Sequence, residues 1–183
     1  MGQLKMYRPD APVPAYSIPE NYRFRTLSAG EEHLWCRACL DAFVKSEDIE
    51  EYRLRMSRGV EIQNVFVAEY IGNEDLPDIA GTATAQLLDD GAYLHYVAVR
   101  DAHQGKRLAF SLCAAVLERH RALNHRGCFL TTDDFRLPAI KTYLNLGFLP
   151  VLWSEDARER WDSVLKELKA DGVRYLSVEE CGE

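Results

Sequence analysis

The run L-H-Y-V-A-V-R-D-A-H-Q-G-K-R-L-A, residues 94–109, decides how this chain folds. Residues 94–99 read as a strand, and residues 104–109 form a basic glycine turn that leads directly into a helical pattern. In that helix Leu108, Leu112 and Val116 fall on one stripe, with Ala109, Cys113 and Leu117 beside it and Glu118, Arg119 and Arg121 opposite. A turn between a strand and a helix N-terminus points several backbone N–H groups at one spot. The helix adds partial positive charge there, so the spot suits an anion such as a phosphate. Lys106 and Arg107 add two full charges.

Upstream, residues 64–70 and 79–88 are β-rich runs separated by the turn residues I-G-N-E-D-L-P-D, and Asp89, Asp90 and Gly91 make a tighter turn into the central strand. Three antiparallel strands in a meander are expected. The small residues G-T-A-T-A, 81–85, imply that something packs closely on the middle one. Downstream, Gly127 is placed to end the helix. Residues 128–132 then form a short buried strand parallel to the central one, because a helix joins them. Asp133 or Asp134 can cap a further helix with Pro138 in its first turn and Gly147 at its end. Residues 148–152 read as an apolar strand. Ser154 starts a last helix with Trp161, Val164, Leu165 and Leu168 on one face, and residues 173–178 are expected as a final strand.

At the other end, Pro9, Pro12, Pro14 and Pro19 exclude regular helix or central strand from residues 1–20, which are expected to form an extended arm. Residues 22–27 alternate as a first strand. Ser28 with Glu31 makes a capping box for a helix over 29–44, and Ser46 caps a second helix that ends before Gly59.

The chain of 183 residues fits one domain of ordinary size. With a net charge of −7 and basic residues scattered rather than gathered, it lacks the electrostatic footprint of a nucleic-acid binder. No apolar run is long enough to span a bilayer and the first residues do not read as a signal peptide, so no membrane association and a cytoplasmic location are expected. Five cysteines, an odd number, point to reduced thiols. Cys36 and Cys39 form a C-x-x-C with no second ligand pair, so no metal is expected.

Two motifs resemble those of the GCN5-related N-acetyltransferase (GNAT) family. Q-G-K-R-L-A fits the family's R/Q-x-x-G-x-G/A turn at Gln104 and Ala109, with Arg107 where the family usually has its middle glycine. About thirty residues on, Ala139, Tyr143, Gly147 and Phe148 fit A-x-x-x-Y-x-x-x-G-F. The resemblance implies an α/β (α+β) GNAT fold over residues 21–183, following the arm at 1–20. Its sheet would be mixed, mostly antiparallel and splayed at the central strand, with helices on both faces. It implies acetyl-CoA as co-substrate, an amine as acceptor, and transfer by direct attack in a ternary complex.

Residue by residue, the resemblance assigns the pyrophosphate to the N–H groups of Gln104, Gly105, Lys106, Arg107, Leu108 and Ala109, and the pantetheine arm to the backbone of Val97, Ala98 and Val99. Ala139 belongs to the same cofactor site. Arg136 stands where an asparagine often bonds the cofactor arm, and a strand N–H serves as oxyanion donor. Tyr143 matches the tyrosine that meets the departing sulfur; the residues by themselves favour a core position on the Ala139, Ile140, Tyr143, Leu144 stripe, and the glycine turn upstream reverses that preference. His95, in L-H-x-x-A-V, looks like the proton-relaying histidine of the arylalkylamine branch and is placed by strand alternation on the face of Val97 and Val99; a histidine satisfied by a backbone carbonyl is the alternative. With an arginine replacing glycine, the turn at Arg107 is expected to keep φ below zero. Phe43 and Tyr52, on the first two helices, are candidates to touch the acceptor, with core packing as the alternative. Two other functions stay open: a protein or peptide N-acetyltransferase with an open groove, and an acyl-CoA sensor without turnover. The chain is expected to be a monomer or homodimer.

Overall fold

The computed structural model describes residues 2–40, 42–72 and 78–182. The middle of the expected loop after residue 70, residues 73–77, lies outside the described residues, as does position 41 of the expected first helix. The strands are β1 (Leu4–Arg8), β2 (Tyr22–Thr26), β3 (Val65–Tyr70), β4 (Asp78–Leu88), β5 (Gly91–Val99), β6 (Cys128–Thr132) and β7 (Leu149–Val151). The helices are α1 (Glu32–Cys39), α2 (Ile49–Met56), α3 (Leu108–Ala122), α4 (Leu137–Asn145) and α5 (Ala157–Leu168). Among the described residues the strands form one sheet in the order β2-β3-β4-β5-β6-β1-β7. Every pairing is antiparallel except β5 with β6, which is parallel, as the crossover through α3 requires.

Helices cover both faces. On one, α3 packs on β3, β4 and β5, where Ala80, Ala83 and Ala85 let Leu112, Cys113 and Val116 come close. The small residues at 81–85 are thereby explained, and Gly81 adds a second reason: a Cβ there would meet the Ala98 carbonyl oxygen at 2.7 Å. On the other face Trp35, Cys36, Ala38 and Cys39 of α1 cover Val65, Val67, Ile79 and Ala98. At the end of α4, Gly147 takes φ +88 while Phe148 N–H donates to the Tyr143 carbonyl and Gly147 N–H to that of Leu144, a Schellman cap at the expected glycine.

The N-terminal reading needs correction. Leu4–Arg8 is an interior strand that pairs with β6 on one side and β7 on the other. The first proline, Pro9, follows the strand, so all of its N–H groups remain available, and Leu4 and Met6 are fully buried. Only the segment from Pro9 onward behaves as an arm; buried Arg8 donates to the carbonyls of Ala11 and Pro12 and ties it down.

Smaller differences follow local hydrogen bonding. Ser28 and Glu31 close a turn, with Gly30 at φ +91, rather than cap a long helix, so α1 starts at Glu32. Asp48, not Ser46, caps α2 by accepting from Glu50 N–H at 3.0 Å. Asn124, at φ +65, turns the chain after α3 before Gly127 is reached. Arg136, rather than an aspartate, is the N-cap residue of α4, and Asp156 that of α5. The expected final strand reduces to one bridge between Val151 and Leu176.

Candidate active site

The two strands at the centre of the sheet part company almost at once. β5 and β6 share the single register pair Tyr93↔Phe129, so beyond it the β6-facing edge of β5 has no ladder partner. This is the splay the family resemblance implied. On one side of the opening lies a cleft of about 710 Å³, on the other a smaller cavity of about 290 Å³. Val97, Arg136, Ala139 and Tyr143 line both, so the two hollows meet at these four side chains.

The large cleft gathers most of the residues expected to hold the cofactor: Val97, Val99, Gln104, Gly105, Arg107, Leu108, Ala109, Arg136 and Ala139, together with Tyr143. The Ala98 side chain points to the opposite face, among the α1 residues, which leaves only its backbone for the assigned role. Lys106 lies outside the cleft wall, donating to the Ala102 carbonyl at 3.4 Å. Arg107, Arg136 and Lys141 bring three cations to the cleft and no carboxylate lines it. In a chain of net charge −7 this is a local reversal of sign that favours an anionic ligand.

The turn itself departs from expectation at one position. Gly105 has φ +78, and Arg107, expected below zero, has φ +62 and ψ 17. Two left-handed residues separated by one ordinary residue turn successive N–H groups to one side, the geometry of an anion-binding nest, and α3 begins immediately after it. The left-handed conformation costs a non-glycine residue roughly 1 kcal/mol. Part of that is offset where the Arg107 guanidinium lies over the Phe110 ring, 4.9 Å from its centroid.

Tyr143 sits at the junction, buried, edge-on to Phe148 at 6.0 Å. Its hydroxyl makes no hydrogen bond to another described residue. Burial raises its pKa far above the ordinary phenol value, against a smaller lowering by Arg136, so the group stays protonated and available as a donor.

His95 lines the cavity, but not on the expected face. Tyr96 adopts φ +41, and the β4 register passes from Thr84↔His95 to Thr82↔Ala98, three residues of β5 against two of β4. The extra residue is a β-bulge that reverses the alternation. Leu94, before it, therefore shares a cluster with Val97 and Val99, after it, while His95 stands next to Tyr96 with ring centroids 4.2 Å apart. Burial lowers the His95 pKa below the usual histidine value, and the Arg55 carbonyl pulls the other way. The ring is thus neutral near pH 7 and able to accept a proton.

Phe43 lines the same cavity and packs on Tyr96 at 5.1 Å. Tyr52 does not line it; its ring packs edge-on against Trp35 at 5.6 Å, as a core residue would. Several lining residues escaped the sequence reading. Gln3 and Asp133 enter the cavity wall through the β1–β6 pairing, a contact across about 130 positions that leaves no local trace. Lys141, by contrast, shares the helical spacing of Pro138, Thr142 and Asn145, all on the cleft face of α4, and that stripe was legible. His103 also lines the cleft, its Nδ1 2.9 Å from the Tyr22 hydroxyl. Cys36, Cys39, Cys113 and Cys128 are buried, and burial raises the thiol pKa of each. Among the described residues no group of three potential ligands could hold a metal ion, and no helix is long and apolar enough to cross a membrane.

Comparison with known proteins meets this geometry. The model of the Acetyltransferase (GNAT) family matches residues 31–148, a span holding β3 to β6, the glycine turn and Tyr143, and the chain belongs to that family. A curated relative, the spore coat polysaccharide biosynthesis protein SpsD of Bacillus subtilis (strain 168), is 24% identical over 127 residues, 65% of this chain and 44% of that protein. Among solved structures, the GCN5-related N-acetyltransferase from Sphaerobacter thermophilus superposes with a TM-score of 0.66 at 21% identity, covering 80% of this chain and 47% of that one. A chain of the NatC complex bound to Gag peptide and CoA gives a TM-score of 0.57 at 16% identity, over 70% of this chain and 85% of that chain. The chain thus spans less than half the length of the first two.

Proposed function

We propose that this chain transfers the acetyl group of acetyl-CoA to a primary amine of a small-molecule acceptor, by direct attack within a ternary complex. The observation that carries the reading is the meeting of an anion-favouring cleft and a small cavity at Tyr143. The nest at Gly105 and Arg107 with the N-terminus of α3 would hold the pyrophosphate, and the unpaired edge of β5 would take the pantetheine amides as an added strand. A strand N–H on that edge, fixed before reaction, would stabilise the oxyanion, a kind of contact commonly worth about 3 kcal/mol.

Tyr143 would donate its hydroxyl hydrogen to the departing sulfur. Burial raises its pKa, and the same dry site would raise the thiol's, so the proton stays on the tyrosine until the thiolate forms. His95, neutral and on the cavity wall, would receive the amine's proton directly or through water. No nucleophilic cysteine is needed, and the buried thiols fit a reducing, cytoplasmic setting. A small acceptor is preferred because Phe43 and Gln3 help wall a hollow of about 290 Å³, a size that suits a small amine.

The test is thiol release from acetyl-CoA over a panel of amines, amino acids, amino sugars, polyamines and short peptides, with Tyr143→Phe beside the parent. Release with a small amine, falling at least tenfold in the variant while CoA affinity holds, is the expected result. Release with peptides alone would assign a protein N-acetyltransferase, and CoA binding without release from any acceptor would assign a sensor.

A further inference from the structure

Arg136 lies at the junction of cleft and cavity and is only partly engaged. Its Nε donates to Asp133 Oδ2 at 2.9 Å, while Asp133 Oδ1 accepts from Gln3 Nε2 at 3.3 Å, so the carboxylate that anchors it is itself held by the residue just before β1. The guanidinium lies over two phenyl rings, 4.8 Å from the Phe43 centroid and 5.5 Å from that of Phe135. These ring contacts and the Nε bond together restrain the side chain. Both terminal Nη groups are left without a hydrogen bond to any described residue. A planar fork held at one edge and open at the other is suited to bidentate capture of a carboxylate or phosphate.

Which anion it faces follows from position. The cofactor's phosphates belong, on the reading above, at the Gln104–Ala109 turn. The part of the cofactor that would reach Tyr143 is the pantetheine arm and thioester, which carries no charge. A guanidinium at this junction has no anionic partner on that arm, and its other neighbour is the acceptor cavity. Phe135, the anchor's outer ring, is 76% exposed beside it, an apolar surface kept in place over a charge.

We propose that Arg136 is the acceptor's anion receptor: the acceptor is a small amine that also carries a carboxylate or phosphate, which Arg136 binds while the amine is directed toward Tyr143 and His95. Asp133 and Gln3 are positioning residues that hold the fork. The proposal rests on the acetyltransferase reading of this site.

The test compares matched acceptors that differ only in the anion: lysine with 1,5-diaminopentane, 2,4-diaminobutyrate with 1,3-diaminopropane, and glucosamine 6-phosphate with glucosamine. The expected preference of kcat/KM for at least one anionic member is tenfold or more. Arg136→Gln should reduce that preference at least tenfold through KM of the acceptor, and Arg136→Lys should restore part of it by keeping the charge. The carboxylate and phosphate pairs tell the two sources of the anion apart. Equal rates for charged and uncharged members in an active parent would overturn the proposal and leave the transferase intact. So would an Arg136→Gln effect confined to KM for acetyl-CoA, which would return Arg136 to the cofactor. Should the parent acetylate nothing, titration calorimetry of the same anionic amines into the CoA complex decides: binding lost in Arg136→Gln supports the receptor, and absence of binding to the parent overturns it.

Discussion

The two edges of β5 serve opposite ends. Toward β4 the strand keeps a ladder from Leu88↔Gly91 to Gly81↔Val99, interrupted once by the bulge; toward β6 it keeps one pair, Tyr93↔Phe129. Each ladder bond adds about 1 kcal/mol net, and α3 packs on alanines beneath them, so the first edge is where stability accumulates. The second edge gives up that stabilisation, and Tyr143, His95 and Arg136 converge on the space it leaves. Damage to the two edges should therefore separate into lost stability and lost rate.

The largest separation is expected at Tyr143. Tyr143→Phe removes one hydroxyl that has no hydrogen-bond partner among the described residues, so kcat should fall roughly a thousandfold with the melting temperature little changed. A fall in both together would mean that the tyrosine is a core residue of the kind the helical stripe also allowed.

His120 joins the two halves. It lies on α3, fully buried, with Nε2–H donating to the Tyr93 carbonyl at 3.1 Å, at the one residue where β5 and β6 pair. Its Nδ1 has no hydrogen-bond partner among the described residues, and burial lowers its pKa to about 4. A folded-state value below the unfolded one means that the unfolded chain takes up the proton first. The stabilisation is complete above about pH 6.5 and is lost as pH falls toward 4, roughly 3 kcal/mol in all. Denaturant midpoints of parent and His120→Gln between pH 7 and 4 should show the variant with the flatter profile; parallel profiles would remove His120 from the account. His95, whose pKa is also lowered, acts in the same direction below pH 6.5.

On the paired edge, Gly81→Ala sets a Cβ 2.7 Å from the Ala98 carbonyl, a backbone atom that cannot move aside cheaply. About 2 kcal/mol of stability should be lost in urea denaturation, with the rate per folded molecule far less affected than by Tyr143→Phe. If the rate collapses instead, the two edges are not independent. The smallest effect is expected at Arg107→Gly, where release of the left-handed strain should raise stability by about 0.5 kcal/mol after the unfolded-state entropy of glycine is set against it. CoA should bind severalfold more weakly for want of one charge, a change read by calorimetry.

What was legible in the sequence was what short-range rules control. The meander of β3, β4 and β5, the turn at Gln104 to Ala109, the parallel crossover and the Gly147 cap all depend on residues within a few positions of one another. The two largest misreadings have a different cause. β1 was hidden because five strand residues sit beside a run of prolines and their partners lie 120 or more positions away in β6 and β7. The face of His95 was misplaced because one extra residue in β5 shifts the alternation, and a bulge has no composition of its own.

The chain by itself therefore determined the family, the order of its elements from β3 to α5 and the positions of Tyr143, Gln104 and Gly105, since local hydrogen bonding and helical spacing act on neighbouring residues. Only the tertiary structure decided that Gln3, Asp133 and Arg136 share a wall, that His95 faces the cavity with Tyr96, and that Arg107 takes a left-handed conformation its side chain resists. Those depend on which strands meet, at what register and where they part, and pairing energy between distant segments outweighs the local preference of any one residue.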